Sequence, residues 1–136
     1  MNSVRRAPPL AGNVLGSIQN DFVIAEWHDP GGGYDPPRFI APLHLHREDD
    51  EAWYVLEGTL RLKIDDEEVE LRAGSGAIVP RGTPHTYWNP EKGRTRYLLM
   101  MTPRIYRLIQ GIHTITDRTP TVMQALFEDH NSVLLA

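Results

Sequence analysis

Residues 22–101 are cut at short intervals by clusters that no regular element can run through, and this punctuation limits the fold more than any other feature. The clusters are HDPGGGYDPP (28–37), Asp65-Asp66, AGSG (73–76), PRGTP (80–84) and NPEKGR (89–94). Proline fixes φ and removes a donor, while glycine admits the left-handed region, so such stretches read as turns. Between them lie short strand candidates: Phe22–Trp27, Phe39–His46, Ala52–Leu56, Thr59–Ile64, Val69–Leu71, Ala77–Val79, His85–Trp88 and Tyr97–Met101. Thr59–Ile64 alternates cleanly, with Leu60, Leu62 and Ile64 on one face and Arg61 and Lys63 on the other, as a half-buried strand does. Pro42 inside Phe39–His46 predicts an edge or a bulge there. No helix-length pattern separates these strands, which argues against parallel βαβ units. The expected class is all-β, an antiparallel sandwich or barrel.

After Thr102-Pro103 the period changes. Ile105, Leu108, Ile109 and Ile112 recur at helical spacing, and Pro103 suits a first helical turn. A second short helix is expected from Pro120 to about His130, with Thr119 as N-cap and Val122, Met123, Leu126 and Phe127 on its apolar side. The organisation read from this is an N-terminal arm (1–20), a β domain (21–102) and a short C-terminal helical extension (103–136). A chain of 136 residues fits one domain and buries roughly two-thirds of its unfolded surface. There is no cysteine, which excludes disulfides and thiolate metal sites and makes a cytoplasmic location the simple expectation. The net charge of -4, with only Arg5-Arg6 as a basic pair near the start, predicts no nucleic-acid partner. No apolar run has transmembrane length, so no membrane partner is expected.

Chemistry concentrates in two segments. HLHREDDEAWYVLEG (44–58) sets His44 and His46 one residue apart, and strand residues i and i+2 share a face. Two imidazoles aimed at one point with Glu51 nearby are what a metal site needs. GSGAIVPRGTPHTYWN (74–89) then presents His85 directly after a Pro-Arg-Gly-Thr-Pro turn. By alternation Trp53 and Val55 share a face with Glu51, and Tyr87 shares one with His85; a bulge beside the ligands would exchange these for Tyr54 and Trp88. Such rings are either core packing or the wall of a pocket for an aromatic or planar small molecule. His28, His113 and His130 read as solvent-facing. Arg38, Arg61, Arg81 and Arg96 are each candidates to hold a substrate carboxylate, with surface solvation the plainer role.

Taken together, His44, His46, Glu51 and Gly58, followed by Gly74, Pro80, Gly82, His85 and Asn89, resemble the paired motifs of the cupin superfamily. The texture of residues 20–110 is similar to small single-domain bacterial cupins of the quercetin dioxygenase-like type. One departure is Arg38, which stands where the first motif opens with glycine. The resemblance implies a jelly-roll fold, that is, an antiparallel double-stranded β-helix or conical β-barrel, and commonly a homodimer. It also implies that His44, His46, Glu51 and His85 hold one divalent ion. Three imidazoles and a carboxylate suit Fe, Mn, Ni, Co, Cu or Zn. The activity implied is that of a metal-dependent dioxygenase-like oxidoreductase, with Glu51 as ligand and catalytic base. Two other classes fit the same open site: a metal-dependent isomerase, epimerase or lyase for a sugar or keto acid, and a non-catalytic module that binds a small molecule.

Overall fold

The computed structural model describes residues 13–135; Ala136 and most of the N-terminal arm, including Arg5 and Arg6, lie outside the described residues. Ten strands form two antiparallel sheets of five. The first runs β1 (Val14–Leu15), β2 (Val23–Asp29), β9 (Thr95–Met101), β4 (Glu51–Glu57) and β7 (Gly76–Val79). The second runs β10 (Ser132–Leu134), β3 (Phe39–His46), β8 (His85–Trp88), β5 (Thr59–Ile64) and β6 (Glu67–Arg72). Among the described residues the strand pairings form two separate ladders. The sheets are joined through a shared core that includes Val23, Trp53, Val55, Leu60, Leu62, Tyr87, Tyr97 and Leu99.

Period-two alternation decides which side chains enter this core. On β4, Glu51, Trp53 and Val55 are buried while Tyr54 is exposed, so no bulge exchanges the two faces at the start of that strand. On β5, Leu60 and Leu62 are fully buried, as the sequence pattern predicts. β8 departs from alternation, because all four of its residues are buried; Trp88 on its far face packs edge-on against Phe39 at 5.5 Å. The expected irregularity at Pro42 is present. The β3–β8 register shifts on either side of Ala41 and resumes with His44 opposite His85, so a proline that cannot donate to the ladder sits within a bulge.

The motif glycines shape the connections. Gly58 has φ +76, and a Cβ there would fall 2.5 Å from the Arg94 carbonyl, so only glycine makes this turn between β4 and β5. Gly82 donates its N–H to the His46 carbonyl at 2.6 Å and ties the turn before His85 to the strand carrying the other two imidazoles. Arg38, in the place of a motif glycine, donates to Asp29 and to the Gly31 carbonyl, both at 2.9 Å, and lies over the Tyr34 ring.

Both helices fall where the sequence pattern puts them. α1 (Pro103–Thr114) is capped by Thr102, whose hydroxyl accepts from the Ile105 N–H, and it buries Ile105 and Leu108. α2 (Pro120–Asp129) has Thr119 at its N-cap position, but that side chain makes no capping hydrogen bond. The C-terminal extension is not helical throughout. After Asn131, at φ 55, the chain returns as β10 and pairs with β3, placing Ser132 opposite His46 and Leu134 opposite His44. No helix among the described residues is long and apolar enough to cross a membrane.

Candidate metal centre and its cavity

His44 and His46 come from the buried end of β3, His85 opens β8 across from them, and Glu51 opens β4 in the other sheet. One potential ligand atom from each lies within 4.8 Å of the others, and all four residues are buried. The ring centroids of His44 and His85 are 4.3 Å apart, and those of His44 and His46 are 4.8 Å apart.

Each imidazole is oriented through its outer nitrogen. His44 Nδ1 donates to the Pro42 carbonyl at 2.5 Å and His85 Nδ1 to the Thr83 carbonyl at 2.9 Å. His46 Nδ1 donates to Ser132 Oγ at 2.7 Å, and that hydroxyl donates onward to the His130 carbonyl at 3.1 Å. With the Nδ1 protons held by these acceptors, the Nε2 lone pairs are left to face the centre. Glu51 Oε1 lies 3.1 Å from His85 Nε2 and 3.2 Å from His46 Nε2. The geometry at His46 completes no hydrogen bond, and its Nε2 is buried without a partner. A buried carboxylate facing nitrogen lone pairs needs positive charge between them, supplied by a shared proton or by a cation. The donor set fits a divalent transition metal.

Electrostatics keep the group ready for one. Burial, reinforced by His85 and His46, lowers the His44 pKa to about 4, so its imidazole is neutral at physiological pH. For Glu51 burial is the largest single influence and acts upward, but the His46 and His85 imidazoles together outweigh it and bring the carboxyl to about 2. Removing the support behind one ligand should weaken the centre without touching the ligand itself. Ser132→Ala is expected to lower metal affinity roughly 10–100-fold in chelator competition; an unchanged affinity would show that Ser132 does not orient His46.

The centre forms part of the wall of a cavity of about 360 Å³. His44, His46 and Glu51 reach its surface, as do Trp53 and Tyr87, whereas His85 is not among the lining residues and Val55 is buried in the core without lining the space. Tyr97 from β9, Ile105, Leu108, Ile109 and Ile112 from α1, and Phe127 from α2 complete the apolar wall. The apolar stripe of α1 is legible in sequence, but that it covers this cavity is not. Ser132 was missed as well, since a serine after a short helix carries no signal of what it will touch.

The other candidates fall elsewhere. His28 and His113 are exposed, as expected, and also contribute to the cavity lining. His130 differs from expectation: it is half-buried, because its Nδ1 donates to the Leu126 carbonyl at 2.8 Å in the last turn of α2. Arg38 pairs with Asp29, Arg61 with Glu70, Arg81 with Asp50, and Arg96 with Glu26 and Glu57. None of these arginines lines the cavity, whose lining contains no arginine or lysine at all among the described residues.

Comparison with known proteins agrees with this architecture. The cupin domain family model matches residues 32–101, just over half of the chain. Quercetin 2,3-dioxygenase of Bacillus subtilis is 44% identical over 55 residues, which cover 40% of this chain and 16% of that enzyme. A cupin protein of Bacteroides fragilis superposes with a TM-score of 0.58 at 16% identity, over 86% of this chain and 90% of that one. A sugar phosphate isomerase of the cupin superfamily from Silicibacter pomeroyi gives 0.51 at 27% identity, over 61% of this chain and 51% of that one. The chain thus spans about a sixth of the curated dioxygenase and about half of the isomerase. With the motif residues gathered between two antiparallel sheets, and the family model matching across them, the chain belongs to the cupin family.

Proposed function

We propose that this cupin is a divalent-metal-dependent enzyme of dioxygenase type, acting on a flat and largely apolar small molecule. The observation that carries the reading is the setting of the centre: two of its three imidazoles and its carboxylate line a cavity walled largely by aromatic and aliphatic side chains, with no arginine or lysine among the described lining residues. A divalent ion held by His44, His46, Glu51 and His85 would supply Lewis acidity and, if redox-active, the electron transfer that dioxygen chemistry requires. Glu51, ionised at neutral pH, is placed to accept the proton of a substrate hydroxyl. Leu108, Ile109, Ile112 and Phe127 line the same cavity and give a planar ligand an apolar surface to lie on. The stretch of identity with quercetin 2,3-dioxygenase supports the same reading.

The likeness to a sugar phosphate isomerase favours a second reading, metal-assisted isomerisation. A phosphate in this cavity would meet no arginine or lysine, which is why the first reading stands ahead. Anaerobic loading with Fe²⁺ followed by oxygen-uptake assays over flavonols, diketones and catechols tests the proposal, and uptake with at least one compound is expected. Absence of uptake with every compound, together with turnover of a sugar phosphate by Zn²⁺-loaded protein, would favour the isomerase. Calorimetric binding without any turnover would favour a non-catalytic module.

The homodimer belongs to the same reading. Ile78 and Tyr54, on the outward side of the first sheet, and Phe22, just before β2, are 62%, 41% and 64% exposed, and β7 has no further strand beside it among the described residues. An apolar patch beside an open edge suits a second copy of the chain. Light scattering should give twice the chain mass for the wild type and the chain mass for Ile78→Lys. A monomeric wild type at micromolar concentration would remove the dimer.

A further inference from the structure

Four residues, Arg47 to Asp50, separate the ligands His46 and Glu51, and each is tied to a different part of the chain. Arg47 donates to Glu128 of α2 at 2.8 Å and 3.0 Å, and Glu48 accepts from Asn131 at 3.0 Å, just before β10. Asp50 accepts from the Arg81 N–H at 2.8 Å, in the turn that leads to His85. Asp49 receives the Arg104 guanidinium of α1 on both carboxylate oxygens, at 2.8 Å and 3.1 Å. The first three ties lie at the exposed surface, where such pairs hold weakly. The Asp49 side chain is only 8% exposed, so solvent screens its pair less.

Arg104 stands where a helix does not favour a cation. It is the second residue of α1, at the positive end of the helix, and the first turn of α1 has no acidic residue of its own. The compensating charge comes from Asp49, two residues ahead of Glu51 in the chain. Next to Arg104 on the helix is Ile105, which is buried and lines the cavity with Leu108, Ile109 and Ile112. One bidentate pair thus joins a helix of the cavity wall to the segment that delivers the carboxylate ligand. We propose that Asp49 and Arg104 are positioning residues that couple ion binding at the centre to the seating of α1 against the cavity. With α1 seated, the pair holds Asp49 and, through it, sets Glu51 beside His46 and His85. By linkage the coupling runs both ways: an ion that fixes Glu51 also holds α1 in place. The inference rests on the centre binding a divalent ion, and it adds that the cavity opens more readily without one.

The test needs no turnover. Zn²⁺ affinity is measured by chelator competition, and hydrogen exchange of the α1 amides is followed with and without Zn²⁺, on the full chain well below its melting temperature. In wild type, Zn²⁺ should slow exchange in α1 about tenfold. Arg104→Ala should bind Zn²⁺ about tenfold more weakly, and Zn²⁺ should no longer slow its α1 amides. Arg61→Ala, which cuts the Arg61–Glu70 pair between β5 and β6, should match wild type in both measurements. Should Arg104→Ala not fold, the double variant Asp49→Asn/Arg104→Ala decides, since it leaves no buried carboxylate without a cation. A purely structural pair would lower the melting temperature of Arg104→Ala and leave its Zn²⁺ affinity and metal-dependent exchange as in wild type, and that result would overturn the proposal. So would a wild type whose α1 exchange ignores Zn²⁺, or an equal loss of affinity in Arg61→Ala. Coupling that survives in an Fe²⁺-loaded protein consuming no oxygen would end the dioxygenase reading alone; oxygen uptake without coupling would end this inference alone.

Discussion

Replacing His85 by alanine is expected to empty the metal centre. His85 supplies one of the two imidazole nitrogens beside Glu51 Oε1, at 3.1 Å, and is not among the residues that line the cavity, so its loss removes a ligand and no lining residue. Protein purified without chelator should carry close to one ion per chain as wild type and a small fraction of that as His85→Ala. Oxygen uptake should fall with it to background. Thermal stability should fall too, because an ion that binds only the folded chain stabilises it by mass action. At a free concentration a thousand times Kd that amounts to about 4 kcal/mol, or roughly 10 °C for a domain of this size. Chelator-treated wild type should approach the melting temperature of the variant. A His85→Ala protein that keeps its full metal content would contradict the centre as described.

The second large effect is the acid sensitivity of the metal-free protein. His44 has its pKa lowered to about 4 by burial and by its neighbouring imidazoles, against 6.5 for the unshielded group. Below pH 6.5 the unfolded chain therefore takes up a proton that the folded chain resists, and stability declines until the folded group also titrates near pH 4. The loss across that window is about 3 kcal/mol. Glu51 acts in the next window down. Its folded pKa is about 2 against 4.5, so its contribution is present above pH 4.5 and disappears as the pH falls towards 2. Chelator-treated protein should thus show a melting temperature that declines steadily from pH 6.5 downward. Loaded protein should hold its stability further and then lose it together with its metal, because protons compete for the same nitrogens. A melting temperature that stays flat between pH 6.5 and 4 without metal would refute the burial argument for His44.

Much of this was legible without coordinates because it depends on local rules. A side-chain period of two puts His44 and His46 on one face and Glu51, Trp53 and Val55 on another, and the folded chain keeps both assignments. The turn chemistry around Gly58 and Gly82 marked where strands end, and the helical period after Pro103 located α1. Alternation also favoured Tyr87 as inward-facing, although it gave no warning that Trp88 would be buried as well, because that depends on Phe39 packing from a different strand. Val55 shows the limit of the argument. It is on the inward face, but facing inward does not distinguish a cavity wall from solid core, and Val55 belongs to the core.

What the sequence determined by itself was the all-β class, most of the strand and helix segments, and the pairing of His44 with His46 on one face, since each follows from spacing within a few residues; His85, 34 residues beyond Glu51, joined the ligand set only through the resemblance to the cupin motifs. Tertiary structure alone decided how these meet. Ser132 orients His46 from 86 residues away, α1 and α2 supply apolar wall to the cavity with Phe127 edge-on to His44, and Trp53 packs edge-on against Tyr87 and His85. The physical reason is that propensity and periodicity act along the chain, whereas hydrogen-bond pairing and close packing depend on which distant segments fill the same volume.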